Sequence, residues 1–187
     1  MLNLELVNSL LVGFGVWIAY QGLSTWKKQV KGQDEYKLSL EIMECVYEIE
    51  EKLIHARGRF YRYQQDIMKD VEKQRDAHYS EHAARLNDVI ETNSHLRILK
   101  LRADALWGKD KTKYIQSILD LIKRYAIDFE IFYESKWDDP TNRIGNKDAE
   151  GLWMELYGAT NGKTDEFMTL FESTLKSLEE EIREKNS

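Results

Sequence analysis

Cysteine and proline are almost missing from this chain, and charge is missing from one long stretch near its N-terminus. One cysteine, Cys45, and one proline, Pro140, occur among 187 residues. A lone cysteine excludes an intramolecular disulfide and fits a reducing compartment such as the cytoplasm. With so little proline to interrupt them, long helices are expected. Cys45 shares a predicted helix face with Ile42 and Ile49, which favours a buried thiol over a reactive one.

The stretch without charge covers residues 6–26 and is 21 residues long. As an α-helix it would span about 31 Å, which is the thickness of a bilayer core. We therefore predict a membrane anchor in residues 1–31, with an indole at the headgroup layer and lysines directly after it. The predicted anchor residues are Leu10, Val12, Phe14, Val16, Trp17, Ile18, Trp26, Lys27, Lys28 and Lys31.

The charges on either side of this segment predict its orientation. The N-terminal side carries Glu5 and no lysine or arginine, whereas three lysines follow the segment. Positive residues stay on the cytoplasmic side, so we expect a bacterial inner-membrane protein with its N-terminus outside and residues 32–187 in the cytoplasm. A cleaved signal peptide and a buried helix of a soluble protein are the alternatives. The acidic N-terminus and the lack of an Ala-x-Ala site disfavour the first, and the length of the run disfavours the second.

Small residues share one face of the predicted span. Gly15, Ala19 and Gly22 are spaced i, i+4 and i+7, and Asn8 lies seven residues before Gly15. Small residues let two helix backbones approach closely, and an asparagine can form hydrogen bonds across the contact. This spacing suggests that the span self-associates, although scattered glycine and alanine are also common in membrane helices.

The rest of the chain is acidic and has helical periodicity. Residues 32–187 carry a net charge of −8 in a chain of net charge −6, so no nucleic acid is expected as a partner. Apolar residues recur every three or four residues, which predicts an all-α protein: the anchor, then an antiparallel bundle of about four helices. The predicted helices cover residues 36–56 with a wide apolar face, residues 75–107, residues 115–132, and the chain from Thr164 onward, with Thr164 as cap.

Three motifs suggest chemistry, and each has a simpler interpretation. Gly158–Thr164 ends like a phosphate-binding loop, but three residues separate its first two glycines where four are required. His78 and His82 have a spacing that can bind zinc, but no further ligand pair is evident, so this stretch is interpreted as solvated. Asp128 with Glu134-Ser135-Lys136 matches a nuclease pattern, but its helical spacing indicates a solvated helix face. No catalytic residue, metal or cofactor is predicted.

Short motifs are spread over most of the chain: Tyr20-Gln21, Trp26-Lys27-Lys28-Gln29, Lys31-Gly32, Val46-Tyr47, Arg57, Ala105-Leu106-Trp107-Gly108, Leu156-Tyr157-Gly158 and Asp165-Glu166-Phe167. Together they resemble an uncharacterised family of bacterial single-pass membrane proteins. Members often have a proline after the arginine, where this chain has Gly58-Arg59. The resemblance implies a helical cytoplasmic domain behind an N-terminal anchor, and it implies no activity and no catalytic residues.

The anchor, the bundle and the lack of a convincing catalytic set favour a membrane-anchored helical adaptor or scaffold. Its expected partners are the lipid bilayer and an unidentified protein, and a homo-oligomer is an open alternative. A second interpretation is an oligomerising membrane effector, for example one that is toxin-like or acts in phage defence, and the small-residue face favours it. A third is an enzyme with an unrecognised site in the bundle.

Overall fold

Four α-helices form the described part of the chain, and no strand occurs in it. The computed structural model describes residues 4–58, 71–134, 154, 156–158 and 165–185, without the side chains of residues 4–13, 15, 16, 19, 71–75, 78 and 134. The helices are α1 (Leu4–Ala56), α2 (Val71–Trp107), α3 (Lys113–Glu134) and α4 (Glu166–Lys185), with a 3-10 turn at Lys109–Thr112. The prediction of an all-α bundle is therefore confirmed.

The predicted anchor helix and the helix predicted at residues 36–56 form one continuous helix, α1, which passes through Gly32 without a break. The chain divides into two compact units, Met1–Ser39 and Leu40–Ser187. The C-terminal end of α1 lies in the second unit, where an Arg85 Nη1–H donates to the His55 carbonyl oxygen at 3.0 Å. A cation at this end of a helix complements the negative end of the helix dipole.

The first unit contains the predicted anchor. Its described aromatic side chains are exposed, and the rings of Phe14 and Trp17 stack with centroids 5.9 Å apart. Among the described residues, no helix has a stretch long and apolar enough to cross a membrane. The other described anchor residues, all exposed, are Ile18, Trp26, Lys27, Lys28 and Lys31, and Gly22 of the small-residue face is exposed too. The side chains of Leu10, Val12 and Val16, and those of Asn8, Gly15 and Ala19, lie outside the described residues.

The second unit is an antiparallel arrangement of the end of α1 with α2, α3 and α4. Arg102 near the end of α2 pairs with Glu41, whereas Arg85, in the first half of α2, donates to the end of α1. The apolar stripe predicted for α3 is buried, as is most of α4's apolar face, and this burial provides the main driving force for folding. The largest fully buried side chains of the bundle include Ile42, Ile49, Leu53, Leu96, Leu99, Ile115, Ile118, Ile122, Tyr125, Phe129 and Phe171.

Helix α4 begins after Asp165, which corrects the prediction that Thr164 caps it. The Met168 backbone N–H donates to Asp165 Oδ1 at 3.1 Å, which is the hydrogen bond of an N-cap carboxylate. Thr164 itself lies outside the described residues. An aspartate at this position also places a negative charge at the positive end of the α4 dipole.

Candidate functional site

A fully buried histidine lies at the centre of the second unit, which corrects its interpretation as part of a solvated stretch. His82 has no exposed surface. Its Nε2 atom is 2.8 Å from the Tyr125 hydroxyl on α3, and its Nδ1 atom is 3.2 Å from the Tyr157 hydroxyl. The Tyr157 hydroxyl in turn forms a hydrogen bond with the Tyr133 hydroxyl. Three tyrosines and one histidine thus form a continuous polar network inside an apolar core.

The direction of each hydrogen bond in this network follows from one carbonyl group. The Leu156 carbonyl oxygen, which can only accept, is 3.2 Å from the Tyr125 hydroxyl, so Tyr125 donates its proton there. The Tyr125 oxygen then accepts from His82 Nε2–H, and because full burial favours the neutral imidazole, Nδ1 is the unprotonated nitrogen. Tyr157 donates to that nitrogen, and Tyr133 donates to Tyr157. All four side chains thus take part in the hydrogen-bond network, and in each bond one donor faces one acceptor.

Aromatic rings surround this polar network. The Phe129 ring meets the His82 ring edge to face with centroids 4.7 Å apart, and Tyr79 stacks on Phe129 at 5.4 Å. Burial raises the pKa of Tyr125 well above its ordinary value, so this phenol stays protonated and remains a hydrogen-bond donor. The network therefore holds the segment around Tyr157 against α2 and α3. It does not present a base to solvent, because His82 and Tyr125 have no exposed surface.

Next to this network, a buried arginine joins the end of α1 to the start of α4. The Arg57 guanidinium donates from Nη1 and Nη2 to the two Asp165 carboxylate oxygens at 2.9 Å each. Nη2 also donates to the Met154 carbonyl oxygen at 3.3 Å, and the guanidinium carbon lies 5.0 Å from the centre of the Phe167 ring. A planar guanidinium suits this bidentate geometry, which a lysine would not reproduce.

Gly158 has a backbone conformation that suits its place beside this pair. Its φ of +80° lies in the left-handed region, and a Cβ atom there would come 3.3 Å from Asp165 Oδ2. A side chain at residue 158 would be strained and would press on the carboxylate that Arg57 binds.

Three motifs that are far apart in the sequence meet here. Arg57 follows α1, Tyr157 and Gly158 precede α4, and Asp165 and Phe167 begin it. The sequence offered each motif only as part of a resemblance and did not predict that they form one cluster. The spacing of residues in α2 does indicate that His82 is buried. His82 continues the three-and-four spacing of Leu86, Val89, Asn93 and Leu96, all of which are buried.

The other motifs with suggested chemistry do not form a site among the described residues. Asp128 is buried, not solvated as predicted, and one carboxylate oxygen lies 4.0 Å from Arg124 Nε in the next turn of the helix. Residues 135, 136 and 159–164 and the His78 side chain lie outside the described residues. Within the described part of the chain, no group of three histidine, cysteine, aspartate or glutamate residues is placed to hold a metal ion.

The far end of the bundle has a small cavity beside Trp107. Its volume is about 240 Å³, and Leu178, Ile182 and Glu181 of α4 line it with the indole. The Lys185 ammonium lies 3.2 Å from the centre of the Trp107 ring, so a cation of the chain itself already covers this face of the indole. Trp107 therefore packs at the end of the bundle.

Helix α2 has a second apolar face, on the side opposite its buried residues. Ile98 and Leu101 are 58% and 64% exposed, and Ile90 lies two turns before Ile98. The exposed Ser94 and Ala105 continue this face, so no charged side chain lies along its centre. We call Ile90, Ser94, Ile98, Leu101 and Ala105 the outer face of α2. Contiguous exposed apolar surface of this kind is typical of protein-binding sites.

Comparisons of the chain with protein-family models, with curated proteins and with solved structures found no match.

Proposed function

We propose that this chain is a membrane-tethered helical scaffold that binds a protein partner through its cytoplasmic bundle. The observation that carries the proposal is the outer face of α2, where Ile98 and Leu101 are largely exposed on an otherwise acidic, highly charged domain. Exposed large apolar side chains cost solubility, and a docking partner is the usual reason for such a face.

The sealed interior supports a scaffold. His82 and its tyrosine partners form hydrogen bonds with one another, and Arg57 donates hydrogen bonds to Asp165 and to a carbonyl oxygen. Such groups rigidify a core and leave the outer faces of the helices as the surfaces that meet other molecules. The membrane tether is supported by the uncharged residues 6–26 and the lysines that follow them.

Affinity capture of the full-length chain from solubilised native membranes tests this proposal. We expect one protein to co-purify reproducibly with the natural sequence and to be lost with Ile98→Asp and with Leu101→Asp. Ile127→Asp is the matched control, because Ile127 is a comparably exposed isoleucine on α3. Recovery of the chain alone from every preparation, or equal loss with the Ile127 variant, would count against the proposal.

A second candidate, an oligomerising membrane effector, is favoured by the spacing of Gly15, Ala19 and Gly22. An effector of this kind arrests growth when it is expressed, and Gly15→Leu abolishes the arrest by separating the helices. Normal growth at high expression would leave the scaffold as the better proposal.

A further inference from the structure

Three helix ends meet where the chain enters the second unit. Arg102, five residues before the end of α2, pairs with Glu41, the second residue of the unit. The Lys185 ammonium at the end of α4 lies 3.2 Å from the centre of the Trp107 ring at the end of α2. The Lys109–Thr112 turn and the start of α3 follow directly. The ends of α2 and α4 and the start of α3 thus lie at the entry point of the chain.

This end of the unit is basic, although residues 32–187 carry a net charge of −8. We call it the basic end of the bundle, and its basic residues are Lys109, Lys111, Lys113, Arg183 and Lys185. They outnumber Asp110 and Glu184, the acidic residues of the same segments, and Glu181 one turn earlier in α4 still leaves an excess of two positive charges. The three lysines in and directly after the 3-10 turn are exposed.

A fixed turn presents these three lysines. The buried Thr112 hydroxyl donates to a carboxylate oxygen of Asp104, and Asp104 also pairs with Lys100, so the turn is held against the last turns of α2. Beside the turn, Leu106 is 40% exposed and Trp107 is half-buried. Lysines next to an indole and a leucine are typical of the headgroup layer of a membrane, where the ammonium groups stay in water and the apolar parts do not.

We propose that the basic end of the bundle lies against the anionic headgroups of the membrane to which the chain is tethered, and that the bundle contacts the membrane through this end. The inference deepens the proposed function and rests on its tether, which supplies the membrane. Only eight residues separate Lys31 from Leu40, so these two residues lie within about 30 Å of each other. The basic end is therefore the part of the bundle that the chain holds nearest to the lysines of the tether.

The side of the bundle formed by α1 and α4 opposes a flat arrangement on the same surface. Glu50 of α1 lies close enough to Glu172 and Glu179 of α4 for their charges to interact, so this side is acidic. Anionic headgroups attract lysines, with a gain in binding of about fivefold per residue, and repel carboxylates, and both effects fade within about 10 Å. Contact through the basic end brings the lysines to the headgroups and keeps these carboxylates away from them.

Headgroup quenching of a fluorophore on the full-length chain tests the proposal. A bimane is attached to Asp110→Cys in a Cys45→Ser background, and the matched control is Glu166→Cys, which replaces an exposed acidic residue at the start of α4. The chain is reconstituted into phosphatidylcholine vesicles that carry a headgroup nitroxide, with or without about one-third phosphatidylglycerol. We expect phosphatidylglycerol to increase the quenching at residue 110 about threefold or more and to leave residue 166 unchanged. No increase at residue 110, or an equal increase at both residues, would overturn the proposal.

Charge reversal provides a second measurement. Lys109→Glu with Lys113→Glu should abolish the increase at residue 110. Lys123→Glu with Lys176→Glu, which change two exposed lysines elsewhere on α3 and α4, should retain it. An increase that survives the first pair of substitutions would overturn the proposal. So would a loss of the increase with inorganic phosphate but not with chloride of equal ionic strength, because that result indicates a site for a free phosphate ion.

Flotation of the chain with the vesicles reports separately on the tether. A chain that floats with both kinds of vesicle but shows no increase at residue 110 supports the tether and overturns the contact through the basic end. A chain that floats only with the phosphatidylglycerol vesicles, and shows the increase at residue 110, contradicts the tether and supports the basic end.

Discussion

The Arg57 guanidinium and the Asp165 carboxylate form two hydrogen bonds of 2.9 Å each, which join the end of α1 to the start of α4. The arginine side chain is 5% exposed and that of the aspartate 30%. The same carboxylate caps α4 through Met168 N–H. Breaking this pair therefore leaves a buried cation without its partner and also weakens the contact between two helices.

Arg57→Met should lower the free energy of unfolding by about 2–4 kcal/mol, because Asp165 loses both charged hydrogen bonds. Asp165→Asn should cost a similar amount while it preserves the N-cap, since asparagine caps helices as well as aspartate does. The double variant should be less destabilised than the sum of the two, because no unpaired charge remains. Thermal unfolding of the full chain followed by circular dichroism measures all three.

The control for this comparison of the single and double variants is the same comparison on the exposed pair Arg102 and Glu41. Its coupling energy should stay below about 1 kcal/mol, as solvent screens an exposed ion pair. Equal coupling in the buried and the exposed pair would contradict the role given to Arg57.

Tyr125→Phe should destabilise the chain by about 1–3 kcal/mol, because it leaves the buried His82 Nε2–H without an acceptor. It also removes the donor to the Leu156 carbonyl oxygen. Tyr114→Phe on the same helix is the control and should change the stability by less than about 0.5 kcal/mol, since Tyr114 is half-exposed. If both variants unfold at the same temperature, the network around His82 does not stabilise the fold.

The Cys45 thiol should resist alkylation in the folded chain. Burial, with the nearby Glu48 as the smaller cause, raises its pKa to about 11. At pH 8 the thiolate fraction is then about one in a thousand, against about a quarter for an ordinary thiol. Iodoacetamide labelling followed by mass spectrometry should be at least about a hundredfold slower in buffer than in guanidinium chloride. Complete labelling of the folded chain within minutes would show that the thiol is accessible.

Asp104 should stabilise the chain near neutral pH, and this stabilisation should be lost in acid. Hydrogen bonds from Lys100 and Thr112 hold the pKa of this carboxyl below its ordinary value of 3.8. A carboxyl with a lowered folded-state pKa stabilises the fold above its unfolded-state pKa, and this stabilisation is lost as the pH falls through the folded-state value. Asp104→Asn should therefore cost about 1–2 kcal/mol at pH 6 and much less near pH 2. Asp120→Asn, which changes an exposed carboxyl on α3, should show no such difference.

Some parts of this fold were predictable from the sequence and others were not, for physical reasons. In α3, Ile115, Ile118, Ile122, Tyr125, Phe129 and Phe132 alternate in steps of three and four, and all are buried. A helix with one apolar stripe buries that stripe, so the spacing alone was sufficient to predict which residues of α3 face the core. Helix α2 also ends at residue 107, as predicted, and Gly108 follows it with a φ of +88° and its N–H bonded to the Asp104 carbonyl oxygen at 3.0 Å.

Residues 36–56 of α1 have apolar residues on two faces, and periodicity does not tell which face meets the core. Ile49 and Leu53 are buried, whereas Tyr47 and Ile54 are exposed, and only the neighbouring helices decide between them. His82 was missed for a related reason: a polar residue on a buried face is stable only when distant partners satisfy it. Those partners, Tyr125 and Tyr157, are 43 and 75 residues away in the sequence.

Alkaline extraction combined with protease digestion tests whether residues 1–31 tether a cytoplasmic bundle to a membrane, as we propose. We expect the full chain to stay in the pellet after carbonate treatment of native membranes. We also expect protease to digest the bundle in inverted vesicles and to leave it intact in sealed spheroplasts. A chain that carbonate releases into the supernatant would contradict the tether, and a bundle digested from outside intact spheroplasts would contradict its orientation.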